Sequence, residues 1–159
     1  MQPDQFRRIA GQWLTGVVVV TSLDPSGEPC GMTMSGVTSL SLDPPQFLLC
    51  IDRQARTMGA IQHSGSFCIH YLREDQQAIA VAFARPGDSR FGALAHRAGE
   101  TGAPIFDGTI AHVECRLHAV HPGGDHWIVI GDAVAGAFAG GPPLAYFSGS
   151  YRRLLTPDS

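Results

Sequence analysis

Apolar and polar residues alternate with period two over residues 111–120. Val113, Cys115, Leu117 and Ala119 interleave there with His112, Glu114, Arg116 and His118. Successive side chains of a strand point to opposite faces, so this segment predicts a half-buried strand with the four polar residues on the wet side. Val17-Val18-Val19-Val20-Thr21-Ser22 is instead a continuous β-branched run, which suits a strand buried on both faces. Further strands are predicted at 30–33, 39–42, 46–51, 66–71 and 126–131, with a short closing segment at 144–147. Asp24-Pro25-Ser26-Gly27, Pro44-Pro45, His121-Pro122-Gly123-Gly124 and Pro142-Pro143 supply the turns and stops between them.

Helical spacing is confined to brief stretches. Phe6, Ile9 and Trp13 predict an opening amphipathic helix that ends by Gly16, and a short helix is expected near 58–61 after the polar loop 52–57. Asp75 is a candidate N-cap for a helix carrying Ala78, Ile79, Ala82 and Phe83 on one face, stopped at Pro86-Gly87. From there to Gly108 the chain reads as irregular, long enough to be a candidate functional loop. Many short strands at 8–12-residue spacing with two or three brief helices point to a mainly β chain, an antiparallel barrel closed on itself. No repeat, linker or low-complexity tract interrupts it, so one domain over residues 1–159 is expected.

Composition narrows the function classes. The chain has 159 residues, enough to bury a real core. Its net charge is −3, from 11 basic and 14 acidic residues, without a basic run. Nucleic-acid binding calls for a clustered positive surface, so that partner is not expected. No run approaches the ~18 apolar residues of a membrane span. The first eight residues lack an apolar signal core, and a cytoplasmic chain is the expectation. Cys30, Cys50, Cys68 and Cys115 form no CxxC pair and sit in or beside apolar runs, so buried, reduced thiols are expected rather than disulfides or a thiolate zinc site.

Several chemistries lack their motifs. There is no G-x-x-x-x-G-K-[ST] loop, no strand followed by G-x-G-x-x-G, and no G-x-S-x-G elbow. His118, His121 and His126 form the densest histidine cluster, but no carboxylate spacing accompanies them and no metal is expected. His63, His70 and His96 read as surface or satisfied core histidines.

Residues 31–45 (Gly-Met-Thr-Met-Ser-Gly-Val-Thr-Ser-Leu-Ser-Leu-Asp-Pro-Pro) are the most informative stretch. Small residues and hydroxyls let a ligand lie close against main chain, although a solvated turn and edge strand has the same composition. Together with Thr15-Gly16-Val17-Val18-Val19-Val20-Thr21, Gly124-Asp125-His126 and Tyr146-Phe147-Ser148-Gly149-Ser150-Tyr151, this stretch resembles the flavin reductase-like family. The family motifs in question are "TGV-x-VVT", "TS-x-SLDPP", "GDH" and "Y-x-x-G-x-Y", and the match runs from about Phe6 to Arg152.

The resemblance implies a split β-barrel that binds FMN or FAD, is reduced by NADH or NADPH, and works as a homodimer. It also implies reduced flavin supplied to a separate flavin-dependent monooxygenase. Arg56 and Thr57, with Asp52 and Arg53 just before them, are the expected phosphate grip at a helix N-terminus. Thr33, Met34, Ser35 and Gly36 are expected along the flavin ring edge and ribityl chain, with Ser39 and Tyr151 also on the cofactor. The family more often has a small residue or Asn in place of Met34 and a Ser in place of Gly36. His126 is expected beside the open flavin face where the nicotinamide stacks, as the one catalytic candidate. Arg90 and Phe91 match the family's "x-R-F" and are expected to border the same pocket.

Two other functions fit the same residues. One is a flavoprotein of this barrel type that keeps its flavin and reduces another substrate. The other is a non-enzymatic flavin- or haem-binding protein.

Overall fold

The computed structural model describes residues 1–85, 91, 92 and 94–154. Helix α1 (Pro3–Ala10) and a two-residue strand β1 (Thr15–Gly16) lead into β2 (Val18–Leu23), β3 (Pro29–Met34), β4 (Val37–Leu42) and β5 (Pro45–Asp52). Helix α2 (Arg56–Ser64) is followed by β6 (Ser66–Tyr71), a 3-10 turn at Glu74–Gln76 and helix α3 (Gln77–Ala84). The remaining strands are β7 (His96–Ala98), β8 (Pro104–Phe106), β9 (Ala111–Gly123), β10 (His126–Phe138), β11 (Ala145–Phe147) and β12 (Ser150–Arg152).

Seven strands form one antiparallel sheet in the order β3-β2-β6-β9-β10-β5-β4. Its two edge strands are consecutive in sequence, joined by Ser35 and Gly36 alone. In a flat sheet those edges would stand six strand spacings apart, roughly 29 Å, whereas the steps from Met34 to Val37 span at most about 11 Å. The sheet therefore curls until its edges converge at that corner. Among the described residues no ladder joins β3 to β4. The barrel expected to close is thus split, and the split falls where main chain was expected to meet a ligand.

The β-branched run of β2 explains the core. Val18 and Val20 face one buried cluster with Leu49, Ile51, Phe67 and Ile69, which helix α2 caps with Met58 and Ile61. Val17 and Val19 face a second cluster with Leu72, Phe83, Phe106 and Leu144. His70 is fully buried between the two halves of the chain. Its Nδ1 lies 3.1 Å from the Val19 carbonyl, and its Nε2 accepts the Phe106 N–H at 3.4 Å. Nδ1 therefore carries the hydrogen, and burial holds the imidazole neutral, with its pKa lowered to about 3.

Several sequence expectations are corrected. Helix α1 ends at Gly11, and Phe6, Ile9 and Trp13 are exposed instead of covering the core. Helix α3 buries Ala80 and Phe83, not Ala78 and Ala82, and Asp75 lies inside the preceding 3-10 turn rather than capping the helix. An alanine-rich helix is apolar on every face, so packing against β3 selects the buried one. Glu114, expected on the wet face of β9, is buried because it accepts hydrogen bonds from the N–H and hydroxyl of Thr101 at 2.8 and 2.9 Å. Cys50 is exposed, whereas the other three cysteines are buried, and none of the four is in a disulfide. The stretch expected to be irregular contains the β7–β8 hairpin, with Ile105 and Phe106 buried. The expected stop at Pro86-Gly87 lies outside the described residues.

Candidate functional site

The Asp24-Pro25-Ser26-Gly27 turn joins β2 to β3 and stands over the first turn of α2. Asp24 Oδ1 accepts hydrogen bonds from the Ser26 N–H (2.9 Å), the Ser26 hydroxyl (2.6 Å) and the Glu28 N–H (3.0 Å). Its Oδ2 accepts one from the Arg56 guanidinium at 2.6 Å. The Ser26 hydroxyl and the arginine together hold this carboxyl well below the usual carboxylate range.

A cleft of about 1070 Å³ opens between this turn, the end of β5, the start of α2 and the C-terminal end of α3. Asp24, Asp52, Ala55, Arg56, Thr57, Phe83 and Phe91 are among the residues on its wall. Ala55 occupies the N-cap position of α2 with no side-chain cap hydrogen bond. The first amides of a helix have no intrahelical acceptor and carry partial positive charge, so this wall favours an anion. Arg56 at the first helical position adds a guanidinium to it, paired with Asp24.

A second, smaller cavity of about 200 Å³ is lined by Val17, Thr33, Met34, Ser35, Ala84, Tyr146 and Tyr151. Ala84 borders both cavities, and β3 runs along both, from Gly31 and Met32 in the cleft to Thr33 and Met34 in the slot. Tyr146 and Tyr151 meet edge to face with centroids 5.3 Å apart, and Phe83 and Phe91 do so at 5.1 Å in the cleft. Burial raises the Tyr151 phenol above its ordinary pKa, so it stays a hydrogen-bond donor. The two adjoining cavities suit an extended ligand with an apolar planar part in the slot and an anionic group in the cleft.

The expected site residues divide. Asp52, Arg56, Thr57 and Phe91 come together on the cleft, and Thr33, Met34, Ser35 and Tyr151 on the slot. The Thr33 hydroxyl donates to the Ala80 carbonyl at 2.6 Å, so that side chain fastens α3 to β3. Gly36, Ser39, Arg53 and His126 line neither cavity, and Arg90 lies outside the described residues. Gly36 accepts the Cys50 N–H at 2.8 Å, and an added Cβ would lie 3.3 Å from the Cys50 Cβ, which keeps the β3–β4 corner tight on β5. Ser39 is exposed on β4 beside a bulge. The Arg53 guanidinium lies over the Trp127 ring, 4.6 Å from its centroid, and the Arg53 N–H donates to the Asp125 carbonyl at 3.1 Å. His126 donates from Nδ1 to Asp125 Oδ1 at 2.7 Å, which leaves Nε2 outward.

Sequence reading did not single out Asp24, Phe83 or Tyr146. Tyr146 was within reach, since it opens the motif that ends in Tyr151. Asp24 carried a turn signal only, and nothing local marked Phe83.

Comparison with known proteins follows the same outline. The family model described as "Flavin reductase like domain" matches residues 10–155. The reductase subunit HsaB of a flavin-dependent monooxygenase from Rhodococcus jostii (strain RHA1) is 35% identical over 159 residues, covering 99% of this chain and 80% of that protein. A flavin reductase (NADH) of Kitasatospora aureofaciens is 41% identical over 158 residues, 94% of this chain and 81% of that protein. The crystal structure of the NADH:FAD oxidoreductase SgcE6 of Streptomyces globisporus C-1027, in complex with NAD and FAD fragments, superposes with a TM-score of 0.88 at 34% identity. It covers 98% of this chain and 94% of that one.

Proposed function

The chain belongs to the flavin reductase-like family, and from that premise we propose that it catalyses NAD(P)H-dependent reduction of FMN or FAD and passes the reduced flavin to a separate monooxygenase. The observation that carries this reading is that slot and cleft adjoin along β3 and at Ala84, with the α2 N-terminus and Arg56 on the cleft wall.

The residues present fit a flavin. The aromatic and apolar walls of the slot, with Met34 and the Tyr146–Tyr151 pair, suit an isoalloxazine ring. Thr57, Arg56 and the uncapped first turn of α2 suit its phosphate. A bound flavin supplies the two-electron acceptor at which hydride from the nicotinamide arrives. The protein's part is positioning, because hydride transfer needs close, aligned approach rather than a protein acid or base. Asp125 fixes the tautomer of His126, whose Nε2 then serves to orient the nicotinamide carboxamide or to exchange a proton with solvent. Arg53, stacked on Trp127, braces that hairpin against β5.

A homodimer is part of the proposal. Phe6, Trp13, Leu42 and Phe138 are 61%, 78%, 94% and 85% exposed. Apolar exposure on that scale marks an interaction surface, and a second copy is the occupant that the family premise supports. Four cysteines outside any disulfide accord with a reducing, cytoplasmic setting.

The test is anaerobic mixing of the protein with excess FMN or FAD and either NADH or NADPH, following the flavin's blue absorbance. Multiple-turnover bleaching of free flavin is expected. Bound flavin that does not bleach would move the protein to the retained-flavin or binder class.

A further inference from the structure

Asp24 is a closely held charge on the cleft wall. Three donors hold its Oδ1, and the hairpin that presents it is closed by backbone bonds from the Asp24 N–H to the Glu28 carbonyl and from the Gly27 N–H to the Asp24 carbonyl, both 2.9 Å. Its side chain is 10% exposed, against 58% for that of Arg56, with which it pairs at 2.6 Å. An anion approaching Arg56 therefore meets a flexible guanidinium on a rigid helix start, already shared with a carboxylate that cannot swing away.

We propose that Asp24 sets how tightly this chain holds the flavin phosphate, as a fixed anion competing for Arg56; this rests on the reading above, in which Arg56 and Thr57 receive that phosphate. Two effects act against each other. Pairing with Asp24 pre-orders the arginine, which favours binding by the entropy of one long side chain. It also offsets the arginine's charge and leaves a carboxylate within a few ångströms of a phosphate that carries up to two negative charges. At the effective dielectric of a surface cleft, repulsion at that range exceeds the ordering gain. The consequence is a phosphate grip weaker than the residues at the α2 start would give alone. Such a grip fits an enzyme that must release its reduced flavin.

Asp24→Asn removes the charge while its Oδ1 goes on accepting the Ser26 and Glu28 N–H groups, so the turn is retained. Dissociation constants for FMN and riboflavin, read from quenching of flavin fluorescence at one ionic strength, give the test. In Asp24→Asn, FMN should tighten about tenfold and riboflavin stay within about twofold. On an Arg56→Ala background the same change should gain FMN less than about tenfold, because only the direct carboxylate–phosphate repulsion is then relieved. An equal gain would show that Asp24 acts without Arg56 and would overturn the competition. Ser26→Ala, which loosens the carboxylate without removing it, should tighten FMN in the same sense by a smaller factor, and it decides the matter should Asp24→Asn fail to fold. Weaker or unchanged FMN binding in these variants would overturn the inference alone. If Arg56→Ala weakened FMN and riboflavin equally, the phosphate assignment would fall and the inference with it.

Discussion

Asp52 and His126 are Cα partners across the β5–β10 ladder, so a residue on the cleft wall and the Gly124-Asp125-His126 turn move as one piece. Seven consecutive pairs fix that register, from His126–Asp52 to Asp132–Gln46. The histidine thus stands beside a cleft residue without lining the cleft, and the proposed function gives it the nicotinamide. In His126→Ala we expect the apparent KM for the nicotinamide cofactor to rise about tenfold, the scale of one lost hydrogen bond to a charged or polar group. Flavin affinity should be little changed. An unaltered nicotinamide response in steady-state kinetics would reduce His126 to a residue of the turn.

The proposed phosphate site divides recognition between the charge of Arg56 and the helix start at Thr57. Charge-assisted hydrogen bonds contribute about 1.5–3 kcal/mol each, so Arg56→Ala with Thr57→Ala should weaken FMN binding by about 10- to 100-fold. Riboflavin has no phosphate, and its affinity should hardly move. Equal losses by isothermal titration would remove this loop from the flavin site.

His70 predicts a pH dependence of stability. Its folded pKa is about 3, against 6.5 for the ordinary imidazole, with burial the largest cause and the Val19 carbonyl opposing it. Between those values the unfolded chain binds a proton that the folded chain refuses, so the stability present above pH 6.5 is lost as pH falls towards 3, with a limiting slope of about 1.4 kcal/mol per pH unit. Asp24 and Glu114 have depressed pKa values, and their contributions are lost only below the ordinary carboxylate range. The window from pH 6.5 to 4.5 therefore isolates His70. Urea midpoints should fall across it in the native protein and much less in His70→Asn, which starts lower; equal slopes would contradict this account.

Gly131 sits at a bulge in β10 where an added Cβ would overlap the Phe67 ring and crowd Cys115. Gly131→Ala should lower stability by about 1–3 kcal/mol through overpacking. Chemical denaturation measures this, and a neutral result would mean that Phe67 repacks without strain.

Phe6 and Trp13, exposed at the start of the chain, are side chains that the proposed homodimer would cover. Phe6→Ser with Trp13→Ser should shift sedimentation from dimer towards monomer at micromolar protein. A native protein that sediments as a monomer at that concentration would refute the homodimer proposal.

Where a segment's own pattern decided its state, the sequence could be read directly. Strand β6 occupies the predicted residues 66–71, and β2 is buried on both faces as its β-branched run requires. The four motifs that suggested the family run in order along a chain whose family match spans residues 10–155. Residues near in sequence also stay together in the structure: Arg56 with Thr57 at the start of α2, which begins earlier than the expected 58–61, and Thr33 to Ser35 along the slot.

Other features depended on partners far along the chain. Glu114 reads as a wet-face residue until Thr101 is folded over it, and Cys50 reads as core until the outward face of β5 is known. The Asp24–Arg56 pair joins residues 32 apart, and no local pattern signals it.

Period, turn chemistry and β-branching act within a few residues, and through them the sequence by itself determined the strands, the brief helices and the motifs that mark the family. The split between β3 and β4, the burial of Glu114, the exposure of the α1 face and the charge that shares Arg56 were decided by the tertiary structure. Each depends on which distant groups exclude water or supply a counter-charge, and that environment exists only once the sheet has curled.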